Sequence, residues 1–173
     1  MKKIAPLYIT IKTAMILLCC IVLFAGCYSF KDVSIPPEVK TARVNYIENR
    51  APYVNPVLSP QLTDRLRQKI NNQTRLTLVQ NDNADYEISG EVRNYAVTTS
   101  GISQQQAASN RLIVTVHIIF KNRLNDKASF EADVSRNFDY NANLSLQQAE
   151  AQKSEEIIRN LTDEIFNRIF SNW

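Results

Sequence analysis

With 173 residues, 21% of them charged and a formal net charge of +3, the chain suits one domain of ordinary size. A single histidine leaves any metal site to be built from carboxylates, and three glycines, of which only Gly90 and Gly101 follow residue 26, exclude a glycine-rich phosphate loop.

The N-terminus carries Lys2, Lys3 and Lys12, then an uncharged stretch from Thr13 to Cys27 with an apolar core of about 11 residues. That core is short of the roughly 20 residues a bilayer-spanning helix needs, so the segment reads as an export signal. Leu23, Phe24, Ala25, Gly26 and Cys27 resemble a lipobox, with Phe24 bulkier than usual and Ala25 and Gly26 as small as a peptidase cleft requires. The resemblance implies a Cys27 thiol carrying diacylglycerol, cleavage after Gly26 and acylation of the new amine, hence palmitate-type chains. Two or more acyl chains anchor a protein stably where one does not.

Loss of residues 1–26 removes three lysines and no acid, so Lys and Arg fall from 20 to 17 and match the 17 acids. A neutral mature surface argues against nucleic-acid binding, which needs a clustered basic face. Cys19 and Cys20 leave with the signal and Cys27 is blocked, so no disulfide, thiol nucleophile or thiolate metal site remains. The organisation read from the sequence is a signal peptide at 1–26, the lipidated cysteine and a tether at 27–38, and one folded domain at 39–173. Pro36 and Pro37 favour an extended tether.

From Val39 to Glu48, Ala42, Val44 and Tyr46 alternate with polar neighbours and predict a first strand. Pro52, Pro56 and Pro60 punctuate the following loop. Ser59 before Pro60 reads as an N-cap, and Leu62, Leu66 and Ile70 give the next helix one apolar stripe, ending near Asn71 or Asn72. A short apolar piece at Leu76, Leu78 and Val79 leads to a turn at Asn81, Asp82 and Asn83. Three strands follow: Tyr86, Ile88, Gly90, Val92 and Ala96 alternate in the first, and Leu112, Val114, Val116, Ile118 and Phe120 in the second. In the third, Phe130, Ala132, Val134, Phe138 and Tyr140 form the apolar set. Thr98 to Asn110 reads as a polar loop between the first two. Ser145 with Gln148 forms a capping-box pattern before a long C-terminal helix striped by Ile157 or Ile158, Leu161, Ile165 and Ile169, with Phe166 and Phe170 packing alongside. The fold class expected is α+β: a two-layer sandwich with a mostly antiparallel four-stranded sheet and both helices on one face.

Catalysis needs a nucleophile with a base, a carboxylate pair in a cleft, or a metal cluster, and no such pattern stands out. His117 lies mid-strand, opposite in direction to Val116 and Ile118, and is expected as an exposed sheet-face residue. Glu131, Asp133 and Asp139 are expected as solvated charges on the polar face. Arg93, Arg111, Lys121, Arg123 and Arg136 are the basic residues placed on that face and are the candidates for meeting anionic headgroups or phosphates. No catalytic residue, metal ligand or cofactor is assigned.

The order of lipobox, tether, strand, helix begun by LSPQLTDRLRQKI, strand containing ADYEISGEV, two hairpin strands and long C-terminal helix resembles the LptE family of lipopolysaccharide-assembly lipoproteins, in the form found in Bacteroidota. The resemblance implies a non-enzymatic outer-membrane lipoprotein, lipid-anchored and facing the periplasm. Its implied partners are the LptD β-barrel, whose lumen it plugs, and lipopolysaccharide, which family members are thought to bind through basic residues. Tyr28 and Ser29 after Cys27 are not an aspartate-type inner-membrane retention signal. The alternative is an accessory lipoprotein of another envelope complex, such as a transporter subunit or a cell-wall synthase activator.

Overall fold

The computed structural model describes residues 35–103 and 106–171, with side chains undescribed at 102–107. The signal, Cys27, the first part of the tether and Trp173 lie outside the described residues. The strands are β1 (Thr41–Val44), β2 (Glu48–Asn49), β3 (Thr77–Leu78), β4 (Tyr86–Ser103), β5 (Gln106–Asn122) and β6 (Phe130–Asn141); the helices are α1 (Leu58–Gln73) and α2 (Leu146–Phe170). They form an α+β layer pair, as the alternation of strand and helix patterns predicts.

The sheet order is β3-β1-β4-β5-β6, with β2 pairing separately on β4. β4, β5 and β6 are antiparallel neighbours joined by hairpins, whereas β1 pairs in parallel with both β3 and β4. The sheet is therefore mixed and six-stranded, not a mostly antiparallel four-stranded one. Its parallel part follows from α1: a strand, a crossover helix and a returning strand bring β1 and β3 together pointing the same way.

Each helix lays its apolar stripe on the same face of the sheet. Leu62, Leu66 and Ile70 of α1 and Leu161 and Ile165 of α2 are 0% exposed, and they meet Ile88, Val92, Val114, Val116 and Ile118 in one core. Phe166 and Phe170 belong to the same core, as helix periodicity requires. At about 25 cal/mol per Å², each such buried aliphatic side chain contributes roughly 1.5–3 kcal/mol, the dominant favourable term in this core. Lys69 clasps the helices together, with its ammonium 2.8 Å from Asp163 and 5.0 Å from the Phe166 ring centre.

Several local expectations give way to tertiary packing. Thr98 to Asn110 is not a loop: β4 and β5 stay paired through Thr99–Asn110 and Gly101–Ser109, with Asn110 and Ser109 also pairing with Tyr140 and Asn141 of β6, so the hairpin extends the sheet and only its tip beyond Ser109 is two-stranded. Ser, Thr and Gln show no alternation of hydrophobicity there, yet backbone pairing needs none. The bulge between Val92 and Asn94 inserts one residue, so Tyr95 is buried where Ala96 was expected. The first strand breaks after Val44, leaving Tyr46 54% exposed and Ile47 buried, its amide donating to Thr63 Oγ1. Ile35 packs into the core and the Val39 amide closes a turn onto the Pro36 carbonyl, so the chain is folded several residues before Val39. α1 starts at Leu58, and Asn55 Oδ1 accepts from the Val57 and Leu58 amides; Ser59 is not the cap, and its buried Oγ has no partner. At α2 the capping box is present as read: Ser145 Oγ accepts from the Gln148 amide, and the Gln148 side chain accepts from the Ser145 amide.

Candidate functional site on the open face of the sheet

With both helices on one side, the odd-numbered positions of β5 and β6 face away from them, opposite Glu87, Ser89 and Glu91 of β4. This open face carries a connected set of charges. His117, buried at 7% exposure, holds Asp133 Oδ1 at 2.7 Å with Nδ1 and Glu131 Oε2 at 3.3 Å with Nε2. The expectation of an exposed histidine is corrected: long neighbours on β4 and β6 cover it, and both ring nitrogens are taken by carboxylates. Arg93, thrown outward by the bulge, donates from Nε to Glu91 Oε1 at 2.8 Å and lies 3.7 Å from Asp133. That bond holds the Glu91 carboxyl below the usual carboxylate range. Arg111 grips Asp139 with two bonds of 2.7 and 2.9 Å, which depresses Asp139 in the same way.

Across the strands this is a ladder of opposite charges, each pair stabilising the sheet modestly. No hydroxyl or thiol nucleophile bonds to His117 among the described residues, which hold no cluster of three or more His, Cys, Asp or Glu suited to a metal ion. Glu131, Asp133 and Asp139 are exposed at 64%, 57% and 55% of their side chains and sit on a sheet surface, the place expected of solvated charges.

The five basic candidates do not converge. Arg93 and Arg111 are spent on carboxylates within the open face. Arg136 is on the other side: it shares the parity of Val134 and Phe138, and its guanidinium pairs with Glu164 of α2. Its placement on the polar face is corrected, because one charged residue interrupts the inward set where the helix supplies a partner. Lys121 stands opposite Glu87 at the end of β5, and Arg123 closes the next turn by donating to the Asp82 carbonyl and Asn83 Oδ1.

Two polar clusters are invisible to pattern reading. Tyr95, turned by the bulge toward the α2 side, donates to Glu150 Oε1 at 2.7 Å, and Asn55 Nδ2 and the Tyr53 hydroxyl reach the same carboxylate. Burial pushes the Tyr95 phenol up, so it stays a donor. Asp85 joins β1 to β4: its Oδ2 accepts from the amides of Lys40 and Thr41 and from Thr41 Oγ1, each at 2.9 Å. The Lys40 amide foremost holds this carboxyl below its ordinary value. Only the aspartate following Ala84 in a turn-then-strand context hinted at it.

Among solved structures, a minor lipoprotein of Acinetobacter baumannii shares the fold at 17% identity and a TM-score of 0.50, covering 75% of this chain and 91% of its own. CT253 of Chlamydia trachomatis matches at 7% identity and a TM-score of 0.51, over 78% of this chain and 99% of its own. XCC0632 of Xanthomonas campestris matches at 12% identity and 0.51, over 76% and 84%. No curated protein matches the sequence. No helix among the described residues is long and apolar enough to cross a membrane. The family model for LptE, described as lipopolysaccharide-assembly, matches residues 39–169, which spans nearly all of the domain just described. The chain belongs to the LptE family of lipopolysaccharide-assembly proteins, which are envelope-associated and non-enzymatic.

Proposed function

We propose that this protein is an outer-membrane lipoprotein, anchored through acylated Cys27 after removal of residues 1–26, that plugs the lumen of an LptD-type β-barrel and assists delivery of lipopolysaccharide to the outer leaflet. The observation that carries the reading is the family match over 39–169. The open face is compatible with it: a water-lined barrel interior is polar, and a surface whose arginines are already matched by carboxylates packs there without stranding a charge.

Affinity purification of the full chain from envelopes in mild detergent tests it. A stable complex with a large β-barrel is expected, together with periplasmic retention of lipopolysaccharide and sensitivity to bulky antibiotics on depletion. A complex with an inner-membrane transporter or a peptidoglycan synthase, and normal surface lipopolysaccharide after depletion, would sink the proposal.

A further inference from the structure

Tyr86 opens β4 and Asn122 closes β5, and the two stand directly opposite one another in the antiparallel register. Both share the parity of Ile88 and Phe120, on the helix side of the sheet, and each is only 6% exposed. Their polar atoms are left over from the fold. Asn122 Oδ1 accepts from the amides of Leu124 and Asn125, each at 3.0 Å. That fixes the carboxamide and leaves both N–H groups of Nδ2 without an acceptor among the described residues. The Tyr86 ring is held by Phe120 and Phe170, with centres 4.9 and 6.4 Å away, and its hydroxyl has no hydrogen-bond partner among the described residues. Burial first and the Glu38 carboxylate second hold this phenol above its ordinary value, so it stays a donor. Donors on buried side chains are seldom left without an acceptor, because the hydration lost is not regained.

Both side chains line one cavity of about 340 Å³ at this end of the sheet. Its charged walls are Arg168, in the last turn of α2, and Glu38, on the chain entering the fold. Arg168 lies 5.9 Å from the centre of the Phe130 ring and has no ion-pair partner among the described residues. Glu38 has none there either, so two opposite charges border one cavity without closing on each other. Leu124, 53% exposed, and the half-buried Phe130 supply an apolar wall.

The volume is at the small end of the roughly 300–1,000 Å³ of small-ligand sites, room for about one or two amino-acid residues. Three donors against one carboxylate select the chemistry. A ligand carboxylate offers about four lone-pair positions and no hydrogen, enough for Tyr86, Asn122 and Arg168 together. A sugar brings a hydrogen with every hydroxyl, and Glu38 is the one carboxylate in this lining to take them. The second charge of a phosphate would stand against Glu38. A carboxylate with an N–H on the adjoining carbon satisfies both sides.

We infer that this cavity binds the free C-terminal residue of a peptide, its carboxylate held by Tyr86, Asn122 and Arg168, its amide N–H by Glu38 and its side chain against Leu124 and Phe130. The inference is independent of the anchor and barrel readings. It gives the protein a site for a second polypeptide at the end where its own chain enters the fold.

The test titrates the full mature chain, labelled for heteronuclear NMR, with acetyl-glycyl-leucine, with the C-terminal amide of that peptide, with galacturonic acid and with inorganic phosphate. The free acid should shift the Asn122 side-chain amide and Arg168 Nε resonances saturably, with a Kd of roughly 1 mM for so small a ligand. Capping the carboxylate as the amide should weaken binding about ten-fold or more, since hydrogen bonds to a charged group are the strong ones. Tyr86→Phe deletes only the unpartnered hydroxyl, and Asn122→Asp keeps the acceptor for the two loop amides while removing the Nδ2 donors. Each, read at Arg168, should weaken the free acid about ten-fold. The urea midpoint of Tyr86→Phe should match that of the wild type, which separates a ligand contact from a structural one. Equal binding of acid and amide, tighter binding of galacturonic acid or phosphate than of the peptide acid, unchanged affinity in both variants, or no saturable shift, meaning a cavity that takes up water only, would each overturn the inference.

Discussion

Asp85 offers the sharpest test of how this sheet is held together. β1 is four residues long and meets β4 in parallel, with its first residues fastened by one carboxylate oxygen that accepts three bonds of 2.9 Å. Asp85→Ala removes the acceptor and leaves two amides and a hydroxyl to find water. Bonds to a charged group contribute roughly 1.5–3 kcal/mol each, but Asp85 is half-exposed and solvent replaces part of the loss, so about 2–3 kcal/mol in total is expected. In urea, followed by far-ultraviolet circular dichroism, the midpoint should fall by roughly 1–2 M. The pH dependence supplies a second readout. The folded-state carboxyl lies below its ordinary value, so its stabilisation is fully present above the unfolded value of about 3.9 and is lost as pH falls through the lower folded value. The wild type should therefore lose stability below about pH 4 more steeply than Asp85→Ala. A midpoint shift equivalent to less than about 0.5 kcal/mol, or identical acid profiles, would refute the account of β1 attachment.

Ser59→Ala separates the two readings of the α1 start: loss of an N-cap costs about 1 kcal/mol, whereas removal of a buried hydroxyl without a partner should leave the urea midpoint unchanged or raise it. Ser145→Ala at the α2 capping box should lower stability by about 1 kcal/mol, measured the same way. Gly90→Ala would place a Cβ 2.4 Å from the His117 carbonyl oxygen and 2.9 Å from Ile118 Cδ1, so β4 and β5 must separate; a loss of at least about 2 kcal/mol is expected in thermal unfolding. Arg136→Ala breaks a pair whose members are 47% and 39% exposed, and its effect should stay under about 1 kcal/mol in a double-mutant cycle with Glu164→Ala.

Local patterns were legible wherever neighbours within four residues set them. The β5 positions Leu112 to Phe120 alternate because a strand exposes every second side chain, and all five even positions are buried as read. The α1 and α2 stripes and the Ser145–Gln148 capping box follow from helix geometry in the same way. The candidate site was less legible. The residue types were right, but Arg93 and Arg111 turned out committed to Glu91 and Asp139, and Arg136 to a helix. His117 took its partners from β6, residues 14 and 16 positions away.

What the sequence determined alone was therefore the α+β class, the helix and strand periodicities, the neutral charge of residues 27–173, and the lipobox-like Cys27 with the family texture that follows it. Tertiary structure decided the parallel seating of β1, the side taken by Arg136 and the burial of His117. Periodicity is set by bond geometry over three or four residues, while sheet order and ion pairing join groups tens of residues apart, whose meeting depends on the whole core closing.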